Sequence, residues 1–278
     1  MTARGIADAV LIEEPGDERM YVFTGLRDQQ LRQLREGPGG DLAGMFIAEG
    51  DVVIQRAIDA GHRLRSVIVE AARTRELDFD LGDAPLYRMS EAVVHEIAAH
   101  RRYRGSMACF DRPHLPTATE VLHGAQTALV TEHVNNPTNM GSMIRTAAAL
   151  GIDALLVDPS SCDPFARRTN RVSMGAVFAV PHARLDALPT GLTPLEDAGF
   201  ATVALTLADD AVPLDELQFG PDDRVALLLG AEQPGLTPEV QRRATYRATI
   251  PMHRGVDSLN VATAAAIAMW HVSARRRG

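Results

Sequence analysis

The chain has 278 residues, of which 46% are hydrophobic and 23% charged, and its formal net charge at pH 7 is −8. This is the composition of a globular protein, and at roughly 100–200 residues per domain the length favours two domains. No apolar run reaches the roughly 18 residues of a membrane span, and the acidic N-terminus lacks the order of a signal peptide. We therefore expect a cytoplasmic protein with no membrane partner.

The N-terminal half alternates strand and helix patterns. Its first 17 residues are polar and are expected to form a flexible arm. Apolar runs predict strands at 45–48, 66–70, 86–89 and 107–110, with helices at 52–60 and 90–97. We therefore predict a small α/β domain over residues 18–110, followed by a proline-bearing linker over 111–125.

The C-terminal half, residues 126–278, continues this alternation. Strands are predicted at 128–131, 154–157, 177–180, 201–205, 225–229 and 248–250, and helices over 143–150 and 258–274. Asn139 is a candidate cap of the first helix, and Asp257 or Ser258 of the second. The run 225–229 is the most hydrophobic, which is typical of a central parallel strand buried on both faces.

Three polar segments follow predicted strands, at the end of the sheet where open parallel sheets bind ligands. They are residues 135–146, 230–236 and 250–262. Each has a purely structural interpretation: Arg145 as a salt-bridged surface arginine, Glu232 as a solvated loop carboxylate and Asn260 as a helix-capping residue. Pattern alone therefore predicts a two-domain α/β protein with a ligand site at the strand ends.

Several common site motifs are missing from the sequence. It contains no lysine, which excludes a P-loop, and it has neither G-x-G-x-x-G nor H-E-x-x-H. Cys109 and Cys162 form no C-x-x-C pair, so neither a zinc site nor a disulfide framework is expected. We expect no metal.

All 28 basic residues are arginine, which binds phosphate in a bidentate manner and stacks on bases. The cluster of Arg101, Arg102 and Arg104 has a tyrosine interleaved, and we favour it as an RNA contact. Its alternative is solvated surface charge.

Taken together and in order, the three polar segments resemble the motifs of the SpoU (TrmH) family of SPOUT methyltransferases. The likeness consists of N-P-x-N-x-G-x-x-x-R-T-A over 136–147, L-G-A-E-x-x-G-L over 229–236, and I-P-M followed by S-L-N-V between 250 and 261. It covers about residues 126–274. The stretch 46–50, F-I-A-E-G, resembles the ribosomal-protein-like substrate-binding domain that precedes the catalytic domain in many members.

The resemblance implies an α/β fold whose C-terminal parallel sheet contains a deep trefoil knot, preceded by a smaller α/β RNA-binding domain. It also implies S-adenosyl-L-methionine (SAM) as cofactor and a homodimer that packs through the knotted C-terminal domains, with RNA bound across both subunits. The implied cofactor residues are Thr206, Leu207, Leu228, Gly230, Ile250, Met252, Ser258 and Leu259.

The implied catalytic residues are Arg145, Asn139, Glu232, Ser258 and Asn260. Arg145 would stabilise charge on the ribose 2′-oxygen, and the other four would orient Arg145, the cofactor and the ribose. The predicted activity is SAM-dependent methylation of a ribose 2′-OH in RNA, with 23S rRNA favoured.

Three alternatives stay open. The RNA could be tRNA, the protein could bind RNA on this scaffold without catalysis, or the strand-end pocket could serve a small-molecule enzyme, which the acidic charge balance mildly favours.

Overall fold

The computed structural model describes residues 5–24, 35, 39–98 and 105–274. The chain forms two compact units, one of residues 1–114 and 165–178 and the other of residues 115–164 and 179–278. The segment 165–178 therefore groups with the N-terminal unit, although it lies within the C-terminal half of the sequence. The contiguous domain boundaries expected from the sequence stay a prediction.

Strands and helices alternate along most of the described chain. The strands are β1 (Val10–Ile12), β2 (Met45–Glu49), β3 (Leu64–Glu70), β4 (Leu86–Met89), β5 (Ser106–Asp111), β6 (Thr127–Glu132), β7 (Ala154–Val157), β8 (His182–Arg184), β9 (Ala201–Leu205), β10 (Val212–Pro213), β11 (Val225–Gly230) and β12 (Tyr246–Thr249). The helices are α1 (Asp51–Asp59), α2 (Glu91–Ala98), α3 (Ala118–Leu122), α4 (Pro137–Leu150), α5 (Arg167–Val172), α6 (Thr193–Asp197), α7 (Pro238–Arg243) and α8 (Val261–Ala274).

The first unit contains a mixed sheet in the order β1-β4-β3-β5-β2. The four strands predicted in this half are all present, with ends shifted by up to two residues. Strand β1 was not predicted: Val10–Ile12 lies in the stretch expected to be an arm and pairs in parallel with β4. Its Ile12 is fully buried, so this contact with the core offsets the polar character of the surrounding sequence.

The strand predicted at 177–180 is wrong, because residues Ala176–Phe178 form a 3₁₀ helix instead. The two residues before it, Met174 and Gly175, have φ angles of 54° and 77°, and left-handed backbone interrupts an extended chain. The Phe178 ring then packs against the Phe46 ring with their centroids 5.5 Å apart. A short apolar run fits a buried turn as well as a strand, so the hydrophobic pattern of residues 177–180 could not distinguish the two.

Glu49, at the end of β2, binds two arginines of α5. Its carboxylate accepts hydrogen bonds from Arg167 Nε at 2.8 Å and Arg171 Nη1 at 2.9 Å. Burial alone would raise the pKa of Glu49, but these two guanidinium groups outweigh it and hold the pKa below its ordinary value. The ionised carboxylate therefore stabilises the packing of α5 on β2.

This pairing predicts an acid-dependent loss of stability. Because the folded pKa of Glu49 is lowered, its contribution is present at neutral pH and is lost as the pH falls below about 5. Glu49→Gln should lower the free energy of unfolding at pH 7 by about 1–3 kcal/mol and flatten its decline with acid, measured by denaturant titrations between pH 7 and 3. The control is Glu239→Gln, which removes an exposed pair with Arg242 and should change little. An unchanged slope in Glu49→Gln would contradict this account.

The second unit contains a seven-stranded sheet in the order β10-β12-β9-β11-β6-β7-β8, with parallel pairing throughout. Strand β11 lies between β9 and β6, and each of its six residues is buried. The prediction of a central parallel strand is therefore confirmed. In the described part of the chain, no helix is long and apolar enough to cross a membrane.

The helix caps predicted at Asn139 and at Asp257 or Ser258 are wrong, whereas the capping interpretation of Asn260 is confirmed. Helix α4 begins after Asn136, whose Oδ1 accepts a hydrogen bond from Thr138 N at 2.9 Å, because Pro137 at the first helical position favours a start there. Helix α8 begins at Val261, after Asn260, whose Oδ1 accepts from Ala262 N at 2.9 Å. The side chains of Asn139 and Ser258 are thereby left for other contacts.

Candidate active site

A cavity of about 390 Å³ opens at the carboxyl ends of β9, β11 and β12 in the second unit. Its walls come from three loops that leave these strands and from the start of α8. The lining residues are Leu205 to Ala208, Leu229 to Glu232, Pro234 to Leu236, Gln241, Ala248, Ile250, Met252, Ser258, Leu259, Val261 and Ala264. The size is that of a small-molecule site, and its place agrees with the ligand position predicted from the strand order.

Seven of the eight residues predicted for the cofactor line this cavity, namely Thr206, Leu207, Gly230, Ile250, Met252, Ser258 and Leu259. Leu228 does not line it. Alternate side chains of a strand point to opposite faces of the sheet, and Leu228 is fully buried in the core cluster of the second unit, whereas Leu229 lines the cavity.

Three of the predicted catalytic residues form one hydrogen-bonded cluster. Asn139 Nδ2 donates to Glu232 Oε1 at 3.1 Å, and Asn260 Nδ2 donates to the same oxygen at 2.5 Å and to Asn139 Oδ1 at 3.1 Å. The cluster joins α4, the loop after β11 and the start of α8, which are far apart in sequence. Glu232 also lines the cavity, and its Oε2 has no partner among the described residues, so it can accept a hydrogen bond from a ligand.

Arg145 lies outside this cluster. It follows Asn139 by six residues on α4, which turns its side chain about 120° away around the helix. It is exposed and does not line the cavity. Within the described ranges, no hydrogen bond or ion pair engages its guanidinium group. The salt-bridged surface interpretation of Arg145 therefore finds no support, and the group is available to a ligand or partner.

Gly230 is required where the cavity loop folds back over the end of β11. A Cβ atom at Gly230 would lie 2.2 Å from the carbonyl carbon of Gly235 and 2.2 Å from the nitrogen of Leu236. Gly235 has φ of 87°, which glycine adopts without strain. These two positions explain the glycines of the second motif.

Sequence reasoning missed Gln241, which forms a polar wall of the cavity together with the predicted Thr206. Thr206 Oγ1 donates to Gln241 Oε1 at 2.9 Å, and Gln241 Nε2 donates to the Leu236 carbonyl at 2.8 Å. Gln241 lies on α7, outside the three motifs, and no local pattern marks it. The predicted RNA contacts Arg101, Arg102 and Arg104 lie outside the described residues. Where the chain is described, no group of three or more His, Cys, Asp or Glu side chains could hold a metal.

The second unit is therefore an α/β domain of the parallel-sheet class. It has a ligand cavity at its strand ends and an amide–carboxylate cluster at the cavity rim. The sequence profile of the SpoU rRNA methylase family matches residues 126–270, which include the cavity and the cluster. The chain belongs to this family of RNA methyltransferases.

Known relatives extend the likeness over most of the chain. An uncharacterized tRNA/rRNA methyltransferase of Mycobacterium tuberculosis is 39% identical over 260 residues, covering 92% of this chain and 89% of the relative. The 23S rRNA (guanosine(2553)-2′-O)-methyltransferase of Bacillus subtilis is 27% identical over 227 residues, covering 82% and 88%. The AdoMet-bound crystal structure of an rRNA methyltransferase from Sinorhizobium meliloti matches with a TM-score of 0.77 and 26% identity, covering 97% of this chain and 98% of that one.

Proposed function

We propose that this protein transfers a methyl group from SAM to a ribose 2′-OH in RNA, with 23S rRNA as the favoured substrate. The observation that carries the proposal is the Asn139–Glu232–Asn260 cluster at the rim of the cavity. The B. subtilis relative, named as a 23S rRNA 2′-O-methyltransferase, supports the choice of atom and of RNA.

The cavity suits SAM in size and chemistry. It combines apolar walls from Leu229 and Leu259 with the free carboxylate oxygen of Glu232, the mixture that fixes a polar cofactor in one orientation. SAM supplies a methyl group on a positively charged sulfur. The chain's task is to hold the ribose oxygen in line with that group and to exclude water.

A ribose hydroxyl is a weak acid and a poor nucleophile, so the chain must favour its deprotonated form. Arg145 is the exposed cation on α4, the helix that also carries Asn139. A guanidinium is fully protonated at neutral pH, so we assign it electrostatic stabilisation of the developing 2′-alkoxide rather than proton abstraction. The hydroxyl proton passes to water or to an RNA phosphate, and S-adenosylhomocysteine is the leaving group. The Asn139–Glu232–Asn260 cluster orients the cofactor and the ribose at the rim of the cavity.

The RNA class is tested by methyl incorporation. The purified protein with radiolabelled SAM should label 23S rRNA made without modification, and should label bulk tRNA at least about tenfold less at equal nucleotide concentration. Preferential labelling of tRNA would replace the rRNA assignment with the tRNA alternative. RNA binding with no labelling of either RNA would favour the non-catalytic alternative.

We further propose a homodimer that covers one face of α8. This helix contains no Asp, Glu, Lys or Arg, and it packs against α4. Its outer stripe nevertheless includes Ile267 and Trp270, which are 40% and 55% exposed. A helix that is apolar all round is normally covered on every side, and a second copy covers this stripe. Because Arg145 is exposed on α4, which packs against α8, we propose that it serves the cavity of the second copy.

The dimer gives a direct prediction. Trp270→Glu places a charge in an apolar contact, and the protein should then sediment as a monomer at concentrations where the wild type is a dimer. Val52→Glu is the matched control, because Val52 is 50% exposed on α1 of the other unit, and it should stay dimeric. A monomeric wild type would contradict the dimer.

A further inference from the structure

Glu132 is a buried carboxylate that no motif of the sequence analysis includes. It is the last residue of β6 and is 2% exposed. Its Oε2 accepts a hydrogen bond from Thr237 N at 2.7 Å, and its Oε1 accepts one from Thr237 Oγ1 at 2.9 Å. No arginine of the described residues lies within ion-pair distance of it. A buried carboxylate without a cation is costly unless its hydrogen bonds are good, so both bonds matter to this part of the fold.

The pairing has the chemistry of a helix cap, but the carboxylate comes from a distant strand. Thr237 caps α7, and its hydroxyl oxygen accepts from Val240 N. At α3, Thr117 caps the helix in the same way, and its N–H and hydroxyl donate to the carboxylate of Glu120 three residues later. The corresponding position in α7 is Val240, which cannot supply a carboxylate. Glu132, 105 residues before Thr237, supplies it instead.

This arrangement joins Glu132 to both ends of the cavity loop. In the sheet register, Glu132 pairs with Gly230, where the loop leaves β11. Through its side chain it binds Thr237, where the loop enters α7. Between these two ends lie Glu232, which is part of the cluster, and residues 234–236, which line the cavity. The loop also folds tightly over Gly230, so a shift at one end is transmitted along it.

We propose that Glu132 is a positioning residue for the cofactor site: through Thr237 it fixes the loop 231–236, and with it the Glu232 carboxylate and one wall of the cavity. This inference rests on the proposed function for the identity of the cofactor. The position of the loop itself does not depend on that identity.

The test compares Thr237→Val with Thr117→Val. Each removes the hydroxyl of a capping threonine bound to a glutamate, so each should lower Tm by roughly 2–4 °C. Only Thr237→Val should weaken SAM binding, by about tenfold in calorimetry, and raise the KM for SAM more than it lowers kcat. Thr237→Ser restores the hydroxyl and should recover the binding. In Thr237→Val combined with Glu132→Ala, the two effects should be less than additive, because both break one interaction.

Equal SAM affinity in Thr237→Val and Thr117→Val would overturn the proposal, since Thr237 would then act as an ordinary cap. A wild-type protein that does not bind SAM would instead overturn the proposed function. Hydrogen exchange separates the two outcomes because it needs no cofactor. Amides of residues 231–233, 235 and 236 should exchange at least about tenfold faster in Thr237→Val than in the wild type or in Thr117→Val. Unchanged exchange would contradict the role of Glu132 whatever the cofactor.

Discussion

Arg145→Ala is expected to lower the rate of methyl transfer by about 10²–10³-fold, the loss that follows removal of one stabilising donor from a developing oxyanion. SAM affinity and the free energy of unfolding should stay near the wild-type values, because Arg145 is exposed and does not line the cavity. Single-turnover transfer, calorimetry with SAM and thermal unfolding measure the three quantities.

Two controls sharpen this result. Arg242→Ala removes another exposed helix arginine, paired with Glu239, and should keep wild-type transfer. Arg145→Lys keeps the charge but loses the planar fork, so it should recover only part of the rate. Full transfer in Arg145→Ala would contradict the proposed role.

A mixed dimer tests whether Arg145 serves the second copy. Arg145→Ala and Glu232→Ala chains should each be inactive alone. If each cavity takes its arginine from the other chain, a mixed dimer has both defects in one site and retains one intact site, so mixing restores part of the activity. If each cavity uses its own arginine, both sites of the mixed dimer stay defective and mixing restores nothing.

The second large effect is expected from Gly230→Ala. The added Cβ would lie 2.2 Å from backbone atoms of Gly235 and Leu236, so the loop must move away from the strand end. We expect a loss of about 1–3 kcal/mol in the free energy of unfolding and SAM binding weakened by about 10- to 100-fold.

Gly44→Ala is the matched control for this substitution. A Cβ at Gly44 would meet no atom within 4 Å, and the variant should bind SAM as the wild type does. Wild-type SAM binding by Gly230→Ala would contradict the position assigned to the loop 231–236.

The fold was predictable where the pattern of a segment has one explanation. The run that forms β11 is apolar at five consecutive positions and lies at the centre of a parallel sheet, as predicted. The apolar run after Gly175 fits either a strand or a buried turn. It forms a 3₁₀ helix, because the left-handed backbone at Met174 and Gly175 interrupts an extended chain. Strand β1 could not be found by composition, since one buried residue, Ile12, carries its contact with the core. The trefoil knot and the dimer stay predictions of the family resemblance.

Individual site residues could be predicted from the sequence only where they belong to one of the three motifs. The contacts among Asn139, Glu232 and Asn260 follow the expected grouping of the three motifs. Leu228 was misplaced because a motif gives the sequence position but not the face of the strand. Glu132 binds Thr237, and Gln241 binds Thr206. Both partners are distant in the chain, so no local spacing could reveal these contacts.

Product analysis tests the central claim most directly. After incubation with isotopically labelled SAM and unmodified 23S rRNA, the RNA is digested to nucleosides, and the labelled species are identified by mass spectrometry. We expect one labelled nucleoside whose methyl group lies on the ribose 2′-oxygen, and about 10²–10³-fold slower appearance of that label in the Arg145→Ala reaction. Label on a base, or label that survives in Arg145→Ala at the wild-type level, would contradict the proposed activity.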